Sequence, residues 1–395
     1  MGSMITLGIG EMEVDWGKNW YFNDYSKLFL PTDKKDIPYY YADNIVENKL
    51  GYSKKLSDVK ERLELLGYSK HNLRALFQQI LDNYPDYYPP IPLSFEDFLN
   101  IFSNINIQNY KNSFEEGDYS LGEYTLEHIL NNKLFAPLRQ HLSDDLIYDY
   151  SHFFENFDVK FLLRLLMENP QNLELDLEWR TADVLEGGYV DDIYVGIDDS
   201  DKFLIVTEGS SDTFIIKKTL ELLKPGILDF FTFIDMEDNY PFTGTGNLFR
   251  FCQGLSSIKI QNKVLVIFDN DLEGVSNFDK VQKLKLPKNM GVMKLPESKS
   301  FDNFLTVCVS GESQQNINGR AVAIECFLDL AKTKKTTHRV RWTNYIKDYD
   351  DYQGSLENKG NYVAPFKKLR NKTGYDFSKL EILMDAIYQN CIQLV

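Results

Sequence analysis

The stretch Val264-Leu-Val-Ile-Phe-Asp-Asn-Asp-Leu-Glu-Gly274 runs from five apolar residues into three acids and a glycine. A short continuous apolar run closed by a turn predicts a strand buried on both faces, as in parallel sheets covered by helices. Its exit raises a physical question. Carboxylates crowded beside a core repel one another and are costly to desolvate, so Asp269, Asp271 and Glu273 need a compensating partner.

The surrounding sequence keeps the same rhythm. Residues 203–207 predict a strand, 211–224 a helix ended by Pro225-Gly226, and 230–235 a second strand. Gly244-Thr-Gly246 opens a helix to about 254, strand 263–268 follows, then a helix around 275–285 and a short strand at 292–295. Strands alternating with helices predict an α/β unit, a parallel sheet of about four strands with helices on both faces.

Upstream, after a short β-rich start, the pattern reads as mainly helical. In 56–69 Ser57 is the expected N-cap, Val59, Leu63 and Leu66 form one stripe, and Gly67 supplies a left-handed end. Segments 71–82, 93–103 and 160–168 share that apolar spacing, while the Tyr/Pro-rich 83–92 predicts a loop. A Gly- and Asp-rich stretch at 183–202 marks a boundary. The expected domains are 4–195, mostly helical; 200–300, the α/β unit; and 301–395, a helical extension.

The chain has 395 residues, 43% of them hydrophobic, enough for more than one core. No apolar run is long enough for a membrane-spanning helix, and no signal-peptide pattern is present. Cys252, Cys308, Cys326 and Cys391 stand singly, which predicts neither a zinc site nor a disulfide scaffold and suits the cytoplasm. The net charge of −16 is uneven. Residues 1–200 hold 17 basic and 35 acidic side chains, and the remainder 26 basic and 24 acidic. Two basic clusters, Lys332/Lys334/Lys335/Arg339/Arg341 and Lys367/Lys368/Arg370/Lys372, are solvated faces or phosphate contacts.

In an open parallel sheet, binding groups collect at the carboxyl ends of the strands. Two strand ends carry acids here. Glu208 and Asp212 follow the first strand in VTEGSSD (206–212), and Asp269 and Asp271 follow the third. If these strands are neighbours, four carboxylates face one volume, and a hard divalent cation, Mg²⁺ or Mn²⁺, resolves the repulsion. An EF-hand loop does not fit, because Lys280 occupies its twelfth position. A phosphatase of the haloacid-dehalogenase type places Thr or Val where Glu273 stands and leaves VTEGSSD unused.

Glu208-Gly-Ser-Ser-Asp212 followed by Asp269-Asn-Asp271 resembles the Toprim domain of topoisomerases, bacterial primases and a group of nucleases. That resemblance implies that the D-x-D pair binds divalent metal and that Glu208 binds metal or acts as general acid/base. The single cysteines cannot build a primase zinc module, and the length disfavours a topoisomerase. The nuclease branch, including the overcoming-lysogenization-defect (OLD) family, implies a second metal site on Asp212 and a later glutamate. Glu325 is the candidate, within 316–331, whose apolar stripe predicts a helix. Lys359 is implied as a phosphate or transition-state contact. Residues 5–19, 56–69 and 340–368 are similar to the HEPN/Toprim N-terminal domain family. No Arg precedes a His by four to six residues, as HEPN catalysis requires, so the Toprim variant is implied.

The expected protein is then a nuclease with about two Mg²⁺ or Mn²⁺ ions, cleaving DNA or RNA as an antiphage defence effector. Glu208, Asp269 and Asp271 would hold one ion and Asp212 with Glu325 the other, one activating water and one stabilising the leaving oxygen. Ser210 and Ser211, at a helix start, would offer N–H groups to phosphate. No G-x-x-x-x-G-K-[ST] is present, so an ATPase or sensor would act in trans. A homo-oligomer is also expected, and no membrane. The rival reading is a catalytically degenerate module that binds nucleic acid or regulates a partner.

Overall fold

The computed structural model describes residues 2–41, 45–83, 94–109, 157–234, 245–333 and 337–395. They form two compact units, Met1–Ile197 and Asp198–Val395. The expected loop at 83–92 lies, but for Asn83, outside the described residues, as do Asp235, Gly244, Lys334 and Lys335. Among the described residues no helix is long and apolar enough to cross a membrane.

The first unit contains β1 (Met4–Ile9), β2 (Met12–Lys18), β3 (Lys34–Tyr41), β4 (Ile45–Lys55), α1 (Leu56–Leu65), α2 (Lys70–Asn83), α3 (Phe95–Ser103), α4 (Val159–Leu166), β5 (Asp176–Arg180) and α5 (Ala182–Glu186). The strands build an antiparallel sheet in the order β2-β1-β5-β4-β3. The sequence reading expected only a short β-rich start before the helices and did not foresee this five-stranded sheet. The segment KKDIPYYY hides its strand because it opens with three charges and contains Pro38. Proline lacks the ladder N–H and is tolerated at a sheet edge, which is where β3 lies. Trp179 of β5 is fully buried, stacked on Phe29 with Tyr25 edge-on. Phe77, Phe98, Phe157 and Phe161 from and beside the helices extend the same core.

Helices α2, α3 and α4 match the apolar spacing of their segments. In α1 the cap is not Ser57: the N-cap is Lys55, with no side-chain cap bond. The Leu56 N–H instead donates to the Leu175 carbonyl at 2.8 Å, so a tertiary contact replaces the local one. The other end follows expectation. Gly67 takes φ 101°, its N–H reaches Glu64 O at 3.2 Å, and Tyr68 N reaches Leu63 O at 2.9 Å. These two bonds make a Schellman end, which favours glycine.

The second unit begins with β6 (Phe203–Val206), α6 (Ser210–Leu223), β7 (Phe231–Phe233), α7 (Thr245–Ser257), β8 (Lys263–Phe268), β9 (Asn270–Asp271), α8 (Leu272–Gln282) and β10 (Met290–Lys294). A four-stranded parallel sheet runs in the order β10-β8-β6-β7, as the apolar runs predict. Strands β6 and β8 are direct neighbours, with Val206 opposite Val266. Their carboxyl ends therefore open side by side.

The remainder contains β11 (Phe304–Cys308), β12 (Gly311–Gln315), β13 (Ala321–Val322), β14 (Val340–Ile346), β15 (Asp351–Leu356), α9 (Lys359–Lys367) and α10 (Ser378–Ile392). A sheet β12-β11-β14-β15 precedes the two helices, so 301–395 is not a helical extension. Nor is 316–331 a helix. Gly319 turns left-handed at φ 73°, β13 then pairs with β9, and Ile324–Phe327 is a 3-10 turn. Ala321 through Leu328 are all buried, and a segment enclosed on every side shows no reliable period.

A candidate acidic site at paired strand ends

Glu208 follows β6 and Asp269 follows β8. Across the sheet, the Asp269 backbone N–H donates to Glu208 Oε1 at 3.2 Å, joining positions 61 residues apart. Asp271 leaves the same turn two residues on, as the N-cap of α8, with its Oδ1 accepting from Gly274 N at 2.8 Å. Asp212 sits in the first turn of α6, its Oδ2 accepting from Gly209 N at 3.0 Å. Glu325 comes from the 3-10 turn after β13 and is 4% exposed. Lys359 opens α9 and places Nζ 3.0 Å from Glu325 Oε2.

The acids feel one another. Burial first, then the charges of Asp271, Asp212 and Glu273, push Glu208 up to about 8, against the Asp269 N–H that opposes the rise. Burial followed by Glu325 raises Asp212 to about 7, with Lys359 and the Gly209 N–H opposing. Asp269 lies well above the ordinary carboxylate range through burial, then Asp212, Glu208 and Asp271. Asp271 is also raised by burial, although the Gly274 N–H and Gln353 pull it down. Burial works against the Lys359 ammonium, but Glu325 and Asp269 outweigh it and its pKa rises. One lysine thus faces a cluster of acids that lack enough positive charge. Among the described residues, however, no three His, Cys, Asp or Glu side chains stand gathered to hold a metal ion as placed.

The turn is fixed by backbone contact. A Cβ on Gly274 would lie 2.2 Å from the Asp269 carbonyl oxygen, so only glycine lets α8 start this close to the strand end. Asn270 between the two aspartates is fully buried, and neither of its amide atoms has a hydrogen-bond partner. Ser210 and Ser211 are the first residues of α6, both half-buried, in the same first turn as Asp212.

Sequence reading brought Glu208, Asp212, Asp269, Asp271, Glu325 and Lys359 to attention, and all six belong to this cluster. It missed Gln353. From β15 this side chain donates its amide N–H to Asp271 Oδ2, while Oε1 accepts from Leu272 N at 2.8 Å and Glu273 N at 3.3 Å. A lone glutamine in a polar strand carries no signal of such a role. The position of β13 supplies the remaining support, since Ala321 and Val322 pair with Asp271 and Asn270.

In chain order, a unit built on an antiparallel sheet is followed by an α/β unit with acids at adjoining strand ends. The chain belongs to the HEPN/Toprim N-terminal domain 1 family, whose sequence profile matches residues 1–201. Comparison with curated proteins and with solved structures gave no match.

Proposed function

We propose that the second unit is a Toprim-type phosphodiesterase site, acting on DNA or RNA with divalent metal. The observation that carries this reading is the contact between Glu208 and the Asp269 backbone at 3.2 Å, which joins the two acidic motifs. Donor chemistry supports a hard cation: every candidate ligand is a carboxylate oxygen, and their mutual repulsion falls when a cation is present. Glu208, Asp269 and Asp271 would hold one Mg²⁺ or Mn²⁺ and Asp212 with Glu325 a second. Bound there, such ions supply Lewis-acid stabilisation and a water of lowered pKa.

The chain's own groups have separable tasks. Gln353 and the Gly274 N–H orient Asp271 and leave it further lone pairs. Lys359 offers an ammonium to a phosphate oxygen beside Glu325. Ser210 and Ser211 offer first-turn N–H groups to phosphate. The family name couples this N-terminal module to nuclease-type domains, in keeping with a role as a cytoplasmic antiphage effector whose sensor or ATPase partner acts in trans. Cleavage of plasmid DNA and of tRNA in Mg²⁺ tests the reading. Asp269→Ala is expected to lower the rate on the order of 10³-fold or more; equal rates in variant and parent would remove the catalytic claim.

One observation favours a second reading, a degenerate module that only binds: the carboxylates are not gathered into a cage. Calorimetric titration with Mn²⁺ separates the two. A catalytic site takes up the ion and Asp269→Ala weakens that uptake, whereas a degenerate module shows none.

A further inference from the structure

In the second unit, Arg339 and Arg341 of one basic cluster and the four residues of the other have opposite fates. Arg339 and Arg341 are neutralised internally: each Nε lies 2.5 Å from Glu357, and Arg339 also meets Glu312 at 2.7 Å. Lys367, Lys368, Arg370 and Lys372 are exposed, and among the described residues none pairs with a carboxylate. Helix α6 adds Lys217 and Lys218, likewise without an acidic partner there. Lys218 Nζ donates to the Lys367 carbonyl at 3.2 Å. Both ammoniums also sit over the same ring, Phe214, at 6.0 and 5.1 Å from its centroid. Holding two cations on one ring satisfies each in part through cation–π attraction and leaves their mutual repulsion unmet.

These cations connect to the acidic cleft by helix geometry. Lys359, Val363 and Lys367 are spaced i, i+4, i+8 and so lie along one stripe of α9. The eight-residue step between the lysines spans about 12 Å. On α6, Ser211, Phe214 and Lys218 share a stripe in the same way. Each helix thus starts at the cleft, with Lys359 or Ser211 and Asp212, and each leads to the shared Lys218–Lys367 contact.

We propose that the α6–α9 face, through Lys218 and Lys367 and the exposed Lys368 and Arg370 that follow α9, is a track for a nucleic-acid backbone leading to the acidic cluster. This rests on the phosphodiesterase reading and names how its substrate is held. Recognition is by charge on phosphate, so it is independent of base sequence and sensitive to salt.

The test uses the full chain carrying Asp269→Asn, so that binding is read without cleavage, and fluorescent oligo-dT and oligo-U as probes. In Lys218→Gln/Lys367→Gln/Arg370→Gln, affinity at moderate salt is expected to fall at least tenfold. The slope of log affinity against log salt should flatten by about 0.7 for each cation removed. The exposed pair Lys368→Glu/Lys372→Glu, made separately, should weaken binding in the same direction with its melting temperature unchanged. Replacing Lys218 and Lys367 by Arg should keep both affinity and slope. Unchanged affinity and slope in both loss-of-charge variants overturns the track, as does a parent that binds neither probe. If the parent binds through these cations but the unsubstituted chain never cleaves, the phosphodiesterase reading is removed and the track stands. Cleavage with unchanged slopes does the reverse.

Discussion

The two units treat buried charge in opposite ways. In the first, every buried charged side chain among the described residues has a partner. Lys54 meets Asp33 at 2.6 Å, Arg180 meets Glu178 at 2.6 Å, and Arg164 meets Glu64 at 2.7 Å and Glu168 at 2.5 Å. Arg62, fully buried, donates Nε to the Lys27 carbonyl at 2.9 Å. In the second unit Asp212, Asp269, Asp271 and Glu325 share the positive charge of Lys359, and Glu208 has only the Asp269 N–H to oppose its neighbours' charge. The unpartnered Asn270 amide and Tyr362 hydroxyl lie in this unit as well. Paired charge holds a fold in register; like charge crowded at strand ends destabilises one, and is retained where a ligand supplies the opposite sign.

This contrast can be broken by experiment. Arg164→Ala removes the buried guanidinium that joins Glu64 to Glu168 and should destabilise the first unit by about 3 kcal/mol, read by urea unfolding. A loss under about 1 kcal/mol would mean that the pairing there is incidental. The second unit should respond to pH with the opposite logic. A carboxyl whose pKa is higher folded than unfolded binds more protons in the native chain, so stability falls as pH rises between the two values. For Glu208 that window runs from 4.5 to about 8, and for Asp212 from 3.8 to about 7. Without metal, the melting temperature should therefore drop across this range, and millimolar Mg²⁺ should restore most at the alkaline end. A flat profile, or one that Mg²⁺ leaves untouched at pH 8, would contradict the crowding. The smallest effects concern caps. Asp158 accepts from Lys160 N at 2.8 Å, so Asp158→Ala should cost about 1 kcal/mol. Ser57→Ala should change stability by less than about 0.3 kcal/mol, because Ser57 caps nothing. Similar losses in the two variants would show that local sequence, and not the Leu175 contact, starts α1.

What the sequence disclosed depended on how each segment is enclosed. Strands β6 and β8 are covered on both faces, so their apolar runs could be read directly, and the acids at their ends came with them. The β3 strand escaped because an edge strand tolerates Pro38 and charge. Residues 321–328 misled for the converse reason: a segment buried all round gives no period, and nothing in it encodes the pairing of β13 with β9. Of the site, the acids were legible as charges out of place beside apolar segments, whereas Lys359 came only through the family resemblance. Gln353 was not, since its role exists only once β15 lies against the start of α8.

Gly274 has a consequence of another kind. Its missing side chain, required by the Asp269 carbonyl 2.2 Å from where a Cβ would stand, preserves the bend whether or not any acid around it survives. A descendant that had lost its chemistry would be under the same steric demand. The glycine is thus a signature of architecture, while Asp269 and Asp271 report whether the chemistry has been kept.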